Sequence, residues 1–161
     1  MAHKELISFR SGQFWGVNTT YKIGPHADNG PADVMLVQTL FRYLSYASEN
    51  TKSDLGYTEG DLPQATGKFD GKTAAIISKF QRKNAAKLLS ADGSIHPASY
   101  SGRVIRSVHW DPLLARPRQQ VMTITLLHIY AWYAASIFDT TGNYVSKLAM
   151  ITPELRSWLF P

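Results

Sequence analysis

The sequence contains no cysteine, which excludes disulfide bonds, thiolate metal sites and a cysteine nucleophile. It also lacks the Gly-x-Ser-x-Gly, His-Glu-x-x-His and phosphate-loop motifs, so serine hydrolases, zinc peptidases and nucleotide-binding proteins have no motif in their favour. The N-terminal region carries Glu5, Arg10 and Gln13 where an export signal needs an uninterrupted apolar stretch. We therefore expect synthesis in the cytoplasm without a signal peptide, and any delivery to the periplasm or cell wall by a nonclassical route.

Positive charge exceeds negative charge, with 17 Lys and Arg against 12 Asp and Glu and a net charge of +5. Such a balance favours an anionic partner, such as nucleic acid, a membrane surface or a cell-wall polymer. A nucleic-acid helix would also need base-reading and stacking side chains beside its lysines, and these are few, so no nucleic-acid partner is predicted. The basic residues concentrate along one stretch, namely Lys68, Lys72, Lys79, Arg82, Lys83 and Lys87.

The 161 residues, 44% of them hydrophobic, are enough for one mainly α domain over the whole chain. Residues 6–23 alternate irregularly between apolar and polar types and predict one or two short strands or an ordered arm. A helix buried on two sides is predicted from about Ala32 to Ala47, and it leaves little for solvent beyond Met35, Thr39 and Arg42. A long loop follows over 48–68, and a second helix is expected to begin at Lys72 or Thr73.

The last third of the chain contains a run without formal charge, from Val121 to Phe138. Its 18 residues approach the roughly 20 that a membrane span requires, but it includes Thr, Tyr, Ser and His128. We therefore predict a core helix that packs against the first helix, and no membrane span. Thr152 is predicted to cap a final short helix.

The most specific signal is a pair of helices with two Asp-Gly turns. The first helix carries Val34, Gln38 and Phe41, and the second ends in Phe80-Gln81. Asp70-Gly71 and Asp92-Gly93 flank the second helix. This pattern resembles the peptidoglycan-binding domain family, a small three-helix fold found on many bacterial and phage cell-wall hydrolases.

The match covers about residues 29–100 and departs from the family pattern in places. Val37 stands where leucine is usual. The stretch Phe69–Thr73 fuses two pieces that the family keeps apart, and residues 96–99 replace the usual Gly and Thr after the last turn.

The resemblance implies a three-helix core at 29–100, with an N-terminal arm and a C-terminal helical extension at 103–161. It also implies noncatalytic recognition of peptidoglycan, through its glycan or its stem peptide, without a cofactor or a metal. The recognition would target a partner or a delivery assembly to the wall. A ligand groove is expected where the 48–68 loop and the two turns meet the helices, and its reachable groups are Tyr57, Phe69, Asp70, Thr73, Asp92, Ser94 and His96.

Three motif residues are predicted to be structural. A half-buried amide must find hydrogen-bond partners, and Gln38 and Gln81 have the right length to reach the backbone of a neighbouring Asp-Gly loop. We therefore interpret Gln38, Phe80 and Gln81 as core and loop-anchoring residues. Asp70 and Asp92 are in the same way expected to form turns.

Two alternatives of other classes stay open. The first is a protein-interaction adaptor, for example of a phage or contractile secretion system, because arginine and tryptophan are common interface anchors. The second is a small muramidase or wall peptidase, although the acidic residues lie in polar stretches and the His and Asp residues are too scattered to predict a metal site. The adaptor would bind its partner through Arg103, Arg106, Trp110, Arg116 and Arg118.

Overall fold

The computed structural model describes residues 1–9, 12–46, 55–98, 104–105, 119–128, 130–131 and 144–161. These residues are mainly helical with short strands, which confirms the predicted fold class at this coarse level. Residues 124–128 and 130–131 are also helical, and single 3-10 turns occur at Glu59–Asp61, Ala85–Lys87 and Pro153–Leu155. The named elements are β1 (His3–Phe9), β2 (Gly12–Asn18), α1 (Pro31–Ser45), α2 (Gly71–Lys83), β3 (Leu88–Ser90), β4 (Val104–Ile105), β5 (Gln119–Val121), α3 (Tyr144–Ile151) and α4 (Arg156–Leu159).

The N-terminal arm is a β-hairpin. Strands β1 and β2 pair antiparallel, from His3 opposite Asn18 to Phe9 opposite Gly12. This pairing confirms the predicted strands. Strand β4 adds to the other edge of β1 in a parallel orientation, so the sheet has the order β2-β1-β4.

The C-terminal region contributes strands as well as helices. Besides β4, it supplies β5, which pairs in parallel with β3. The predicted helical extension at 103–161 therefore also contains strands, because two of its segments complete sheets that the earlier part of the chain begins. Backbone pairing requires close contact, so the extension is integrated into the fold.

Helix α1 is buried on two sides, as its two apolar faces predicted. Pro31 occupies its first turn, where a missing N–H costs nothing, and the helix ends at Ser45. Ala47, where the helix was expected to end, lies outside the described residues. Thr39 was expected to face solvent, but it is buried and its hydroxyl hydrogen-bonds the Thr152 hydroxyl at 2.7 Å.

An aromatic cluster connects α1, α2 and the C-terminal region. The Phe41 ring lies edge-on to Tyr57 and to Phe80, with centroid distances of 5.4 and 5.7 Å. Phe80 in turn contacts Tyr130 edge-on at 5.4 Å, and the Tyr130 hydroxyl donates to Asn84 at 2.6 Å. Such edge-to-face pairs stabilise beyond the area they bury.

The uncharged run is a core segment where the structure describes it. Leu126, Leu127, Tyr130 and Ala131 are all buried, and their residues are helical. No helix in the described part of the chain has the length and apolar content to cross a membrane. The prediction of a core helix is confirmed for these residues, whereas Val121 belongs to β5 and the helix begins only at residue 124. Residues 129 and 132–138 lie outside the described part.

The final short helix forms, but its predicted cap does not. Thr152 makes no side-chain cap hydrogen bond, because its hydroxyl pairs with Thr39 instead. A 3-10 turn at Pro153–Leu155 leads into α4, and Leu155 and Leu159 are buried. Thr152 thus joins α1 to the corner between α3 and α4.

His128 makes the stability of this core sensitive to pH. Its ring is buried, and Nδ1 is hydrogen-bonded to the hydroxyl of Tyr144. Burial lowers the pKa of His128 to about 3, whereas an unfolded chain has a value near 6.5. Below about pH 6.5 the unfolded chain therefore binds more protons than the folded one, and stability falls as the pH falls toward 3.

We predict that lowering the pH from 7 to 5 removes about 2 kcal/mol of folding stability through His128. Urea denaturation at both pH values measures it, and His128→Gln should remove this part of the pH dependence. His26→Gln, at an exposed position, is the control and should retain it. If His128→Gln loses as much folding stability between pH 7 and pH 5 as the wild type, the assignment of this pH dependence to His128 is wrong.

Candidate functional site

Gln38 on α1 holds the turn that precedes α2. Its Nε2 donates to the carbonyl of Lys68 and to the Thr73 hydroxyl, both at 2.9 Å. Its Oε1 accepts the backbone N–H of Gly67 at 3.0 Å. The side chain is fully buried, and both polar atoms of its amide form hydrogen bonds within the protein.

Gln81 on α2 holds the next turn in the same manner. Its Nε2 donates to the carbonyl of Ser94 at 2.7 Å, and its Oε1 accepts the N–H of Gly93 at 2.8 Å. The two helices therefore use one device, in which a buried glutamine binds the N–H of a glycine and the carbonyl of the following residue. The predicted loop-anchoring role of Gln38 and Gln81 is confirmed.

The two glycines are required by backbone conformation. Gly67 and Gly93 have φ values of +73° and +75°, in the left-handed region that disfavours a side chain. At Gly67 a Cβ would also lie 2.7 Å from the carbonyl oxygen of Pro31. We call these two structures, Gln38 with 67–68 and Gln81 with 93–94, the glutamine clamps.

Asp70 caps α2. Its Oδ1 accepts the backbone N–H of Thr73 at 2.8 Å and the Thr73 hydroxyl at 2.6 Å. These hydrogen bonds lower the pKa of Asp70, so the carboxylate stays ionised to lower pH than usual. The sequence prediction that Asp70 forms a turn is confirmed.

Asp92 and His96 form the exposed part of the second turn. Asp92 Oδ1 accepts the N–H of Ser94 at 2.9 Å, and Oδ2 lies 3.1 Å from Nε2 of His96. The turn packs against the 24–25 segment, since a Cβ at Gly93 would lie 3.9 Å from Pro25. Asp92 and His96 are thus accessible and held in place by their own turn.

Backbone hydrogen bonds make the residues after this turn a junction of the fold. Ile95 exchanges two backbone hydrogen bonds with Ile23, at 2.7 and 2.9 Å. The N–H of His96 donates to Met122 and its carbonyl accepts from Ile124, both at 2.9 Å. The second clamp therefore fixes the point where the N-terminal loop, the core and the C-terminal region meet.

Three of the predicted ligand contacts are buried. The Tyr57 hydroxyl donates to the Phe41 carbonyl at 2.8 Å, and burial raises the pKa of Tyr57. Thr73 is fully buried between Gln38 and Asp70, and Ser94 is 2% exposed. The prediction that Tyr57, Thr73 and Ser94 are reachable is therefore wrong, because all three side chains are turned inward.

The remaining four predicted contacts, Phe69, Asp70, Asp92 and His96, are at least partly exposed. They do not converge on one place. The first clamp contacts Thr73 and the second extends from Gln81, eight residues further along α2, which corresponds to about 12 Å along the helix axis. Phe69 with Asp70, and Asp92 with His96, therefore form two separate exposed groups.

The basic residues on and around α2 are mostly solvated. Lys68, Lys72, Arg82 and Lys83 are exposed, and the side chain of Lys87 lies outside the described part. Lys79 is instead ion-paired with Asp61 at 2.5 Å, and this pair together with Thr58 lowers the pKa of Asp61.

Several other predicted groups lie outside the described residues. They include all five anchors of the adaptor alternative, namely Arg103, Arg106, Trp110, Arg116 and Arg118. Among the residues that the structure does describe, no group of three or more His, Asp or Glu side chains is arranged to hold a metal ion.

A groove that the sequence did not predict lies between α1 and the α3–α4 corner. Its volume is about 420 Å³. It brings together segments that are more than 80 residues apart, so no local pattern could reveal it. The lining residues are Arg42, Tyr46, Gln64, Ala65, Ile151, Thr152, Pro153 and Glu154.

Comparison of the chain with known protein families, with curated proteins and with solved structures found no match. The likeness to the peptidoglycan-binding domain family therefore rests on the motif residues described above.

The clamps predict a specific stability defect. Gln38→Leu would leave the Gly67 N–H and the Lys68 carbonyl without their partner, and Gln81→Leu would do the same at Gly93 and Ser94. Buried unsatisfied groups are costly, so we expect each variant to lose about 3 kcal/mol of unfolding free energy in urea.

Gln64→Leu is the matched control, because Gln64 is exposed. We expect it to change stability by less than about 0.5 kcal/mol. Equal stability of all three variants would show that the clamps contribute nothing.

Proposed function

We propose that the chain is a noncatalytic module that binds bacterial peptidoglycan and brings a partner or delivery assembly to the wall. The observation that carries the proposal is the pair of glutamine clamps. They occur at Gln38 and Gln81, two of the motif positions on which the resemblance to the peptidoglycan-binding domain family rests. The motif residues thus have a physical reason to occur together, since each helix holds one glycine turn.

The exposed groups on the second turn give the module a polar contact surface. Asp92 accepts and His96 can donate or accept, so the pair suits the hydroxyl and amide groups that line both the glycan and the stem peptide. Their geometry is fixed before binding by the Gln81 clamp, which lowers the entropy cost of recognition.

Charge states of Asp61 and Asp70 fit a noncatalytic role for these two residues. A glycosidase needs one carboxyl group held protonated by an apolar setting, which raises its pKa. Asp61 and Asp70 have pKa values lowered by hydrogen bonds, so both stay ionised.

We predict that the purified chain pellets with intact peptidoglycan sacculi in 1 M salt, where exposed charges are screened within about 3 Å. The double variant Asp92→Asn and His96→Gln should weaken this binding about ten-fold, because it removes a charged acceptor from the contact surface. The turn itself should survive, since the amide oxygen that replaces the carboxylate can still accept the N–H of Ser94. Glu59→Gln and Arg82→Gln, at exposed positions elsewhere, are the controls.

Three outcomes decide the proposal. The proposal is supported if the double variant weakens binding and the control variants do not. Binding that disappears in high salt for every variant assigns the attraction to the lysines of α2, and absence of pelleting at either salt overturns the proposal.

A second candidate function, a protein-interaction adaptor, is favoured by an exposed aromatic patch on the hairpin. Trp15 is 52% exposed beside its cross-strand neighbour Leu6, and Phe160 is 38% exposed near Lys4. The Lys4 ammonium is 5.0 Å from the Trp15 ring and 4.4 Å from the Phe160 ring. Exposed aromatic and cationic side chains of this kind are common in protein interfaces.

The variant Trp15→Ser with Phe160→Ser separates the two candidates. Under the peptidoglycan proposal, sacculus pelleting should be unchanged because the patch is not part of the wall contact. Under the adaptor alternative, the wild-type chain retains one host protein on an affinity column and the variant loses it about ten-fold.

A further inference from the structure

The groove between α1 and the α3–α4 corner carries one positive and one negative side chain from different segments. Arg42 comes from the last turn of α1, and Glu154 comes from the 3-10 turn before α4. The aromatic ring of Tyr46, which is 64% exposed, lies at the same groove.

Arg42 is held in place by the loop on its own side of the groove. Its Nε donates to the carbonyl of Pro63 at 3.1 Å, and Nη2 donates to Oε1 of Gln64 at 3.4 Å. A guanidinium has five N–H groups, so three donors are left over from these two bonds. A fixed guanidinium with free donors is well suited to a carboxylate.

Glu154 is exposed, and its side chain is not engaged by Arg42. Over the described ranges, neither residue has an ion-pair partner within 4.0 Å. The two opposite charges therefore share a groove without neutralising each other. A ligand that carries both signs of charge would satisfy both.

We propose that this groove binds a short peptide that carries a free carboxylate and a free ammonium group. The carboxylate contacts Arg42, the ammonium contacts Glu154, and Tyr46 packs against the peptide. A volume of about 420 Å³ falls within the usual range for small-ligand sites.

The proposed function identifies the source of this peptide, and this step rests on that proposal. Peptidoglycan has a stem peptide with carboxylates and an amine on its diamino acid, whereas a glycan strand stripped of peptide has no ammonium group. The groove would then distinguish the peptide from the sugar. It combines α1 and its loop with the C-terminal region, so the recognition belongs to the whole chain.

The test is a calorimetric titration of the full chain with four soluble probes. They are the stem tetrapeptide with its N-terminus acetylated and its side-chain amine free (the free peptide), the same N-acetylated peptide with the side-chain amine also acetylated, the N-acetylated peptide with all its carboxylates amidated, and the disaccharide without peptide. We expect the free peptide to bind about ten-fold more tightly than either blocked peptide, and the disaccharide to show no binding.

Two variants assign the charges. Glu154→Gln should weaken binding of the free peptide about ten-fold. It should leave binding of the acetylated peptide unchanged, because that probe has no ammonium group for Glu154 to contact. Arg42→Gln should weaken binding of the free peptide and leave binding of the amidated peptide unchanged. Glu59→Gln and Arg82→Gln are matched controls for the loss of one charge, and should bind as the wild type does.

Arg42→Gln also removes the hydrogen bond to Pro63. If that variant does not fold, Glu154→Gln provides the test, because Glu154 is exposed and its side chain has no partner to lose among the described residues. Sacculus pelleting without binding of the free peptide overturns the groove proposal and leaves the proposed function standing. Peptide binding without pelleting supports the groove and overturns wall anchoring. Equal binding of the disaccharide, or of both blocked peptides, also overturns the groove proposal.

Discussion

A buried amide must be satisfied, and this requirement organises the core. Gln38 and Gln81 are both buried, and each finds partners in the backbone of a glycine turn. The position of the turn is thereby fixed to the helix that holds it. The second turn in turn fixes other segments, because Ile95 pairs with Ile23 and His96 pairs with the segment around Met122 through backbone hydrogen bonds. The requirement to satisfy a buried amide thus helps to fix the relative positions of three distant parts of the chain.

The sequence predicted those features that depend on local chemistry. The two-sided burial of α1 follows from its two apolar faces, and the turn at Asp70 follows from the Asp-Gly pair. The roles of Gln38 and Gln81 follow from amide length and burial. In each case the deciding interaction lies within a few residues or follows from a single side chain that must be satisfied.

Features that depend on packing between distant segments were not predictable. Tyr57, Thr73 and Ser94 have types that suit a binding site, but the fold turns them inward, and their burial depends on helices elsewhere in the chain. Thr39 was expected to face solvent because its hydrogen-bond partner in the core, Thr152, is 113 residues away in the sequence. Strands β4 and β5 are only two and three residues long, too short to produce an alternating pattern.

The parallel pairing of β3 with β5 has a consequence for the evolution of this protein. Small binding modules are commonly moved between proteins as intact units whose ends lie in flexible linkers. Here a break near residue 100 would separate β3 from β5, Phe80 from Tyr130, and His96 from its backbone partners at Met122 and Ile124. The motif-bearing segment and the residues after it must therefore be inherited together, and recombination that joins the first hundred residues to an unrelated tail would yield an incomplete core.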